Sequence, residues 1–566
     1  MYLCNPKMNV MARLKYNFTW KKYHRWLGLV LSVFMLVFCV SGIILNHREV
    51  FSDCEVSRKW LPASYHIKNF NNGVVKGTVV KKSAAHSLSS ENCDSVLAYG
   101  CAGVFLTDSR LSTWQDFNAG LPESIDERNV RHVVKAKNGS LWCAALRDVY
   151  RYDENSHRWK KVELPGNEER IMDVALAKDS MTVVALTRSR LFTIVPFVQY
   201  GEIVKIGKSS SETCRVESKI IPAPKKYEPK TTLFKLVWHL HSGEFFGLPG
   251  KLVVDAIALV LIVLSITGIL LFILPYGIRR AKKLAAKARM KRLGKQFAWN
   301  MKWHNKIGYV TIVLTLWIAI TGMCLRPPLM VPLVLSKLPQ TVGEDGNVWQ
   351  DKLRAIRWDA VQGDWLVSTS EGFLRVDEDF SQAPKMLPDD ECPKLSPMGV
   401  TVWESDGNGG WIVGSFRGIY RWNPVNHSLN QILDYFTGKP SEETSMIPIS
   451  DNLVCGYSED FLGGKPLVFD FAKGVEDAKG QAVALCNDEP KTSRNEESMS
   501  DLICETAPMS LWNVALELHV GRCYSPFLGP LSDLFVFLSG LLITLVLLSG
   551  YIISHRRRKK AQARLK

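Results

Sequence analysis

Apolar residues gather into four long blocks, roughly Leu27–Leu45, Leu252–Leu274, Ile307–Leu325 and Phe527–Ile553. Between them lie two long stretches in which short runs alternate apolar and polar positions. At about 1.5 Å per helical residue, each block can cross a hydrocarbon core of about 30 Å. The pattern therefore predicts four membrane-spanning helices. The first block is too long for a cleaved signal peptide and lacks a small-residue cleavage site. The two alternating segments, about 49–238 and 326–518, are rich in Trp, Gly and turn residues. Gly139-Ser-Leu-Trp142 followed by Val149-Tyr-Arg-Tyr-Asp153 returns as Gly363-Asp-Trp365 with Gly372-Phe-Leu-Arg-Val-Asp377. It returns again as Gly409-Gly-Trp411 with Gly418-Ile-Tyr-Arg-Trp422, and more weakly over Val96–Asp108 and Val183–Ile194. Gly372 to Gly418 is 46 residues and Gly103 to Asp148 is 45. A period of that length with several strands per repeat predicts β-propeller blades, about four per segment, in one shared propeller or two partial ones. An irregular β-sandwich is the plainer alternative.

Charge orients the four helices. Six Lys and Arg precede the first block, ten lie between Arg279 and Lys302, and seven follow the fourth from Arg556 to Lys566. These carry +23 against a chain total of +16, so the remainder holds −7. The positive-inside rule then places both termini and the 279–302 loop in the cytoplasm, and both large segments outside. The basic runs sit where topology demands them, so no nucleic-acid partner is expected. Ten of the thirteen cysteines, Cys54, Cys93, Cys101, Cys143, Cys214, Cys392, Cys455, Cys486, Cys504 and Cys523, are assigned to the outer side, where disulfides are permitted. No CxxCH occurs, which argues against covalent haem attachment, and no CxxC pair suggests zinc.

The chain is a tandem duplication. His24-Arg-Trp-Leu-Gly28 matches His304-Asn-Lys-Ile-Gly308 at an offset of 280, and Ser41-Gly42 matches Thr321-Gly322 at the same offset. Leu240-His241-Ser-Gly243 matches Leu518-His519-Val-Gly521 at an offset of 278, as Asp255 does Asp533. The repeated unit is helix, outer segment, helix. The expected organisation is an N-terminus and first span (1–48), outer segment (49–238), second span (239–278), basic loop (279–303), third span (304–325), outer segment (326–518), and fourth span with basic tail (519–566).

Polar groups near lipid are expensive and usually face the bundle interior. His24, Gly28 and Gly42 share one helical face, and His304, Gly308 and Gly322 repeat it. A glycine beside an inward histidine leaves room for something flat and large, and neutral imidazole is a standard axial ligand of haem iron. An isolated histidine beside Arg25 at a helix end would read as an interfacial cap; the matched copy at His304 shifts the balance toward ligation. His241 and His519 form the second matched pair. His47 and His239 have no matched histidine but could replace an outer ligand, while His555 reads as a solvated end residue. His66, His86, His132, His157 and His427 are ordinary surface candidates. Asp255 and Asp533, the paired acids inside the spans, could support a ligand or carry a proton.

HRWLG with a following S/TG, LHSGEFFGLPG before a span, LRPP after the third span and a closing LHVGR…LGP resemble PepSY-associated transmembrane proteins. The resemblance covers all four spans, roughly 120 residues. Members include inner-membrane reductases for iron–siderophore uptake that look like b-type haem proteins passing electrons to the periplasm. It implies a bacterial inner-membrane location and two haems b, with ligation by His24 and His304 on the inner side and by His241 and His519 on the outer. The outer segments depart from the family, with propeller-like repeats in place of clear PepSY modules.

The expectation is a four-helix membrane electron conduit with periplasmic all-β segments, reducing a ferric siderophore or other iron chelate. The cytoplasmic parts hold no GxGxxG. The electron donor must then be separate, a quinol in the membrane or a soluble flavoprotein or ferredoxin. A sensor or peptidase regulator without redox activity is the second reading, and haem or metal transport the third.

Overall fold

The computed structural model describes residues 6–82, 95–109, 113–196, 214–343, 345–394, 399–415, 418–426, 428–431, 453–461, 464–477, 503 and 507–563. Two compact units form. One comprises Met1–Phe51, Lys230–Gln340 and Leu511–Lys566, the other Ser52–Pro229 and Thr341–Ser510.

The first unit is helical. Its main helices are α1 (Pro6–Asn46), α2 (Leu233–Ser242), α3 (Gly247–Lys283), α4 (Lys287–Val310), α5 (Ile312–Cys324), α6 (Leu511–Val520) and α7 (Ser532–Gln562). Among the described residues, three helical stretches are each long and apolar enough to cross a membrane: Trp20–Asn46, Glu244–Lys283 and Ser532–Gln562. The third expected span is carried by two helices, α4 and α5, which meet at a bend of 68° and together are apolar enough to cross as one broken span. Thr311 Oγ1 donates back to Ile307 O at 2.9 Å and Thr315 Oγ1 to Thr311 O at 3.1 Å. Hydroxyls that bond back to the preceding turn bend helices. Val30, Val33, Leu259 and Val313 are exposed on the helices, a lipid-facing surface, while Cys39, Ile257 and Leu261 are buried among Met35, Leu264 and Ile318.

The LHxG signature is a helix stop. Both α2 and α6 end at a glycine in the left-handed conformation, Gly243 at φ 79° and Gly521 at φ 86°. A Cβ at Gly243 would also lie 2.3 Å from the Gly250 carbonyl. His241 and His519, expected to open the second and fourth spans, therefore sit on separate short helices.

The second unit holds five four-stranded antiparallel sheets and one of three strands, within residues 77–116, 132–162, 171–219, 353–386, 402–431 and 454–477. Each segment supplies three of these sheets among the described residues. The repeated glycine before the second strand makes a tight turn with positive φ, 86° at Gly139, 71° at Gly363 and 79° at Gly409. Middle strands such as Leu141–Ala144 and Val183–Thr187 are buried along their whole length, because neighbouring sheets cover both faces. Leu97 and Val104 of the first sheet share a core with Val133 and Leu141 of the second; Trp142 of the second shares one with Val174 of the third. Leu186 joins Ile356, Phe373 joins Trp403, and Ile412 joins Val468 in the same way. Phe469 of the sixth sheet then packs with Val96 of the first. Burial of side chains such as Phe192 and Phe469, each at most 1% exposed, stabilises the unit by roughly 2–3 kcal/mol apiece.

No disulfide joins Cys54, Cys101, Cys143, Cys392 or Cys455. Cys523, assigned to the outer side by sequence, lies in the helical unit, also without a disulfide. Cys93, Cys486 and Cys504 lie outside the described residues, as do His86 and His427.

Candidate functional site

The helical unit brings the four matched histidines together two by two. The rings of His24 on α1 and His304 on α4 have centroids 6.5 Å apart with planes at 72°. Those of His241 on α2 and His519 on α6 are 6.2 Å apart at 52°.

Each ring is held by a Ser-Gly or Thr-Gly dipeptide from the other half of the duplication. His24 Nδ1 lies 2.9 Å from Ser549 Oγ and 3.1 Å from Val546 O. His519 Nδ1 lies 3.0 Å from Ser41 Oγ and 3.1 Å from Phe38 O. His304 Nδ1 lies 2.9 Å from Thr267 Oγ1, and His241 Nδ1 2.9 Å from Thr321 Oγ1. The hydroxyl protons already have acceptors. Ser549 donates to Val546 O, Ser41 to Val37 O, Thr267 to Val263 O and Thr321 to Trp317 O, at 2.7–2.8 Å. Such a hydroxyl can only accept from the imidazole, so Nδ1 carries the ring proton and Nε2 keeps a bare lone pair. This is the tautomer a metal ligand needs, fixed by the group behind it.

The neighbouring glycines make room for the rings. A Cβ on Gly550 would lie 2.8 Å from His24 Cε1, and one on Gly322 2.8 Å from His241 Cε1. The corresponding gaps are 3.3 Å for Gly42 and His519, and 3.6 Å for Gly268 and His304. Gly42 and Gly322 thus meet histidines of other helices, not those on their own face. Gly28 and Gly308 meet no ring; their neighbours are Val546 and Leu264. Gly268 and Gly550, with Thr267 and Ser549, escaped the sequence reading. The S/T-G dipeptide itself was the signal, but these copies are 282 residues apart, not 278, so the fourth helix carries an extra turn.

A donor nitrogen sits about 2 Å from its metal and roughly 1 Å beyond its own ring centre, so imidazoles on opposite sides of one ion have centres about 6 Å apart. Both pairs match that span. No group of three or more His, Cys, Asp or Glu gathers among the described residues. A bare zinc ion would lack ligands here, whereas haem brings its own four nitrogens and needs only two axial imidazoles. The residues present fit that group.

The remaining candidates have other partners. His47 Nε2 pairs with Asp255 Oδ2 at 2.6 Å, and Asn46 Nδ2 donates to Asp255 Oδ1 at 3.2 Å. In the second half Asp533 faces Arg326 at 3.5 Å, so the matched acids have unlike surroundings. His239 lies against Trp238. His555, expected to be solvated, stacks on Tyr309 with planes 7° apart. His132, expected at the surface, is largely buried in the second unit 3.1 Å from Asp173, which Arg357 also meets at 2.6 Å. Burial pushes the Asp173 carboxyl up, but Arg357 and the His132 hydrogen bond outweigh it and hold the group at about 2.

The family model described as the PepSY-associated TM region matches twice, over residues 8–274 and 272–558. Among solved structures, the extracellular domain of a candidate one component system from B. thetaiotaomicron is similar at 11% identity and a TM-score of 0.33. That match covers 71% of this chain and 32% of the other. The extracellular domain of a candidate hybrid two component system from the same organism is similar at 9% identity and a TM-score of 0.29, over 72% of this chain and 39% of that one. The chain therefore spans between 32% and 39% of those structures. No match was found among the curated proteins.

Proposed function

The chain belongs to the PepSY-associated TM region family, and from that premise we propose that it is a membrane electron-transfer protein of the b-haem type. His24 and His304 would hold one haem and His241 and His519 a second. The observation that carries this reading is the opposed rings, each with Nδ1 engaged and Nε2 left to ligate. Haem held between two imidazoles supplies an iron that takes up and releases one electron. The chain's own groups do the rest. Ser41, Thr267, Thr321 and Ser549 fix ring orientation, and the glycines beside them bring the helices close. Every histidine leans on the opposite half, so neither half completes a site alone.

The positive-inside charge pattern supports a cytoplasmic side at His24 and His304, with the β unit in the periplasm of a bacterial inner membrane. The cores shared from sheet to sheet, and from the sixth back to the first, support one six-bladed propeller with three blades from each half. The outer pair would face a ferric chelate such as a siderophore, whose oxygen donors hold ferrous iron less tightly once it is reduced.

The test is spectroscopic. The purified full chain should show a b-type reduced-minus-oxidised spectrum with two haems per chain by pyridine haemochrome. His24→Ala, His304→Ala, His241→Ala and His519→Ala should each lower haem content by about half. A haem-free wild type, folded and monodisperse, would leave the histidines as packing groups and favour the sensor reading.

A further inference from the structure

One helical turn before His304 the helical unit has a half-open cavity of about 530 Å³, lined by Leu270 and Leu274 of α3 and by Lys295, Gln296, Trp299 and Asn300 of α4. Both walls lead to the histidine. Gln296, Asn300 and His304 follow one another at four-residue steps on one face of α4, and Thr267, which holds the His304 ring, lies one turn before Leu270 on α3. One helical turn is about 5.4 Å, so an occupant beside Asn300 lies within short electron-transfer reach of His304.

Asn300 is only 6% exposed. Its Nδ2 donates to Gln296 O at 2.9 Å, and among the described residues its Oδ1 accepts no hydrogen bond. That oxygen is free to accept, and a hydroxyl ligand in the cavity could donate to it. An acyl chain would bring no donor; a lipid head group with hydroxyls would, and phosphatidylglycerol in the test separates the two. The duplication offers a control within the same chain. At the offset of 280 the positions of Gln296 and Asn300 are held by Tyr16 and Trp20, so this amide wall is not a demand of the repeated helix packing.

We propose that this cavity binds a membrane quinol, its hydroxyl donating to Asn300 Oδ1, its ring between Leu270 and Trp299, and its tail in the bilayer. The volume lies within the range usual for small-molecule sites. The inference rests on the haem reading for its redox consequence, though not for binding. Oxidation of one quinol to its quinone breaks two O–H bonds, releasing two protons past Lys295 and two electrons. Haems held by the two histidine pairs would supply the oxidant, one electron each.

The test is binding of decylubiquinol to the full chain in detergent, pre-reduced with dithionite so that no electrons move. Wild type should bind it, and Asn300→Leu and Leu270→Trp should each weaken binding at least tenfold with helicity and haem content unchanged. Trp20→Leu, the control at the matched position, should bind as wild type does. Equal affinity in wild type, Asn300→Leu and Leu270→Trp would overturn the proposal, as would displacement of the quinol by phosphatidylglycerol at equal concentration. Selective binding to a haem-free wild type would keep the quinol site and remove the electron-transfer reading. Two haems with no selective binding would do the reverse.

Discussion

His24 and His304 lie within long helices, whereas His241 and His519 lie on ten-residue helices that end two residues later at Gly243 and Gly521. The ring chemistry is alike in the two pairs: a Ser or Thr hydroxyl behind Nδ1, a glycine beneath the ring, and a partner ring 6.2–6.5 Å away. The support differs. In the first pair the position of each ring follows from an uninterrupted helix. In the second it depends on a left-handed cap that turns the chain between the short helix and the long one. The first pair is thus tied to helix packing alone, and the second also to two glycines that no other residue replaces without strain.

The largest effect separating the pairs should come from the glycine beneath a ring. Gly322→Ala would drive a methyl to 2.8 Å from His241, and Gly550→Ala would do the same at His24. Each should remove the haem of its own pair, about half the total, and spare the other. Gly268→Ala, with 3.6 Å available at His304, should leave haem content near wild type. Loss of both haems in Gly322→Ala would show that the pairs are not independent.

Next in size, Gly243→Ala should damage only the His241–His519 pair. The left-handed backbone costs a non-glycine residue about 1–2 kcal/mol, and the clash with Gly250 adds to it. Haem content after mild heating should fall for this pair first. Equal loss from both pairs would break the distinction drawn from the caps.

Removing the hydroxyl behind a ring should act alike in both pairs. Thr321→Val and Thr267→Val keep side-chain volume but delete the acceptor of Nδ1–H. Loss of such a group typically costs 10–100-fold in metal affinity, readable as faster haem transfer to apomyoglobin. Unchanged transfer in both would argue that ring orientation is set by packing alone.

Acid should have the smallest effect, and in the β unit. Asp173 sits at about 2, below its unfolded value of about 3.9, so its contribution is complete above pH 4 and is lost as pH falls toward 2. The lowering amounts to roughly 2 kcal/mol. Stability of the β unit in Asp173→Asn should therefore lie below wild type at pH 7 and converge with it near pH 2, while the haem spectrum of the variant at pH 7 stays unchanged. A constant gap across that range would remove the ion pair from the account.

Much of the helical unit was legible because duplication wrote it twice. The pairs His24/His304 and His241/His519 stand at fixed offsets, and a repeated histidine at a membrane edge is hard to attribute to chance. The 45-residue period likewise announced the β sheets through glycines that turns require. What escaped depends on three-dimensional partners. Ser549-Gly550 lies one turn out of register with the offset of 278, and nothing local says which helix meets which histidine. The break between α4 and α5 at Thr311 leaves no mark in an apolarity pattern. Asp255 and Asp533 matched in sequence but not in surroundings, because Asn46 and His47 are replaced by Arg326 and Pro327 at the offset of 280.

The central claim is that each histidine pair ligates one haem from both sides, and the electron paramagnetic resonance spectrum of the oxidised full chain tests it directly. Two low-spin ferric signals are expected, the more anisotropic from His24 and His304, whose planes are closer to perpendicular at 72° than the 52° of His241 and His519. His519→Ala should abolish only the less anisotropic of the two. A spectrum showing only high-spin ferric haem, or no ferric haem at all, would contradict the account.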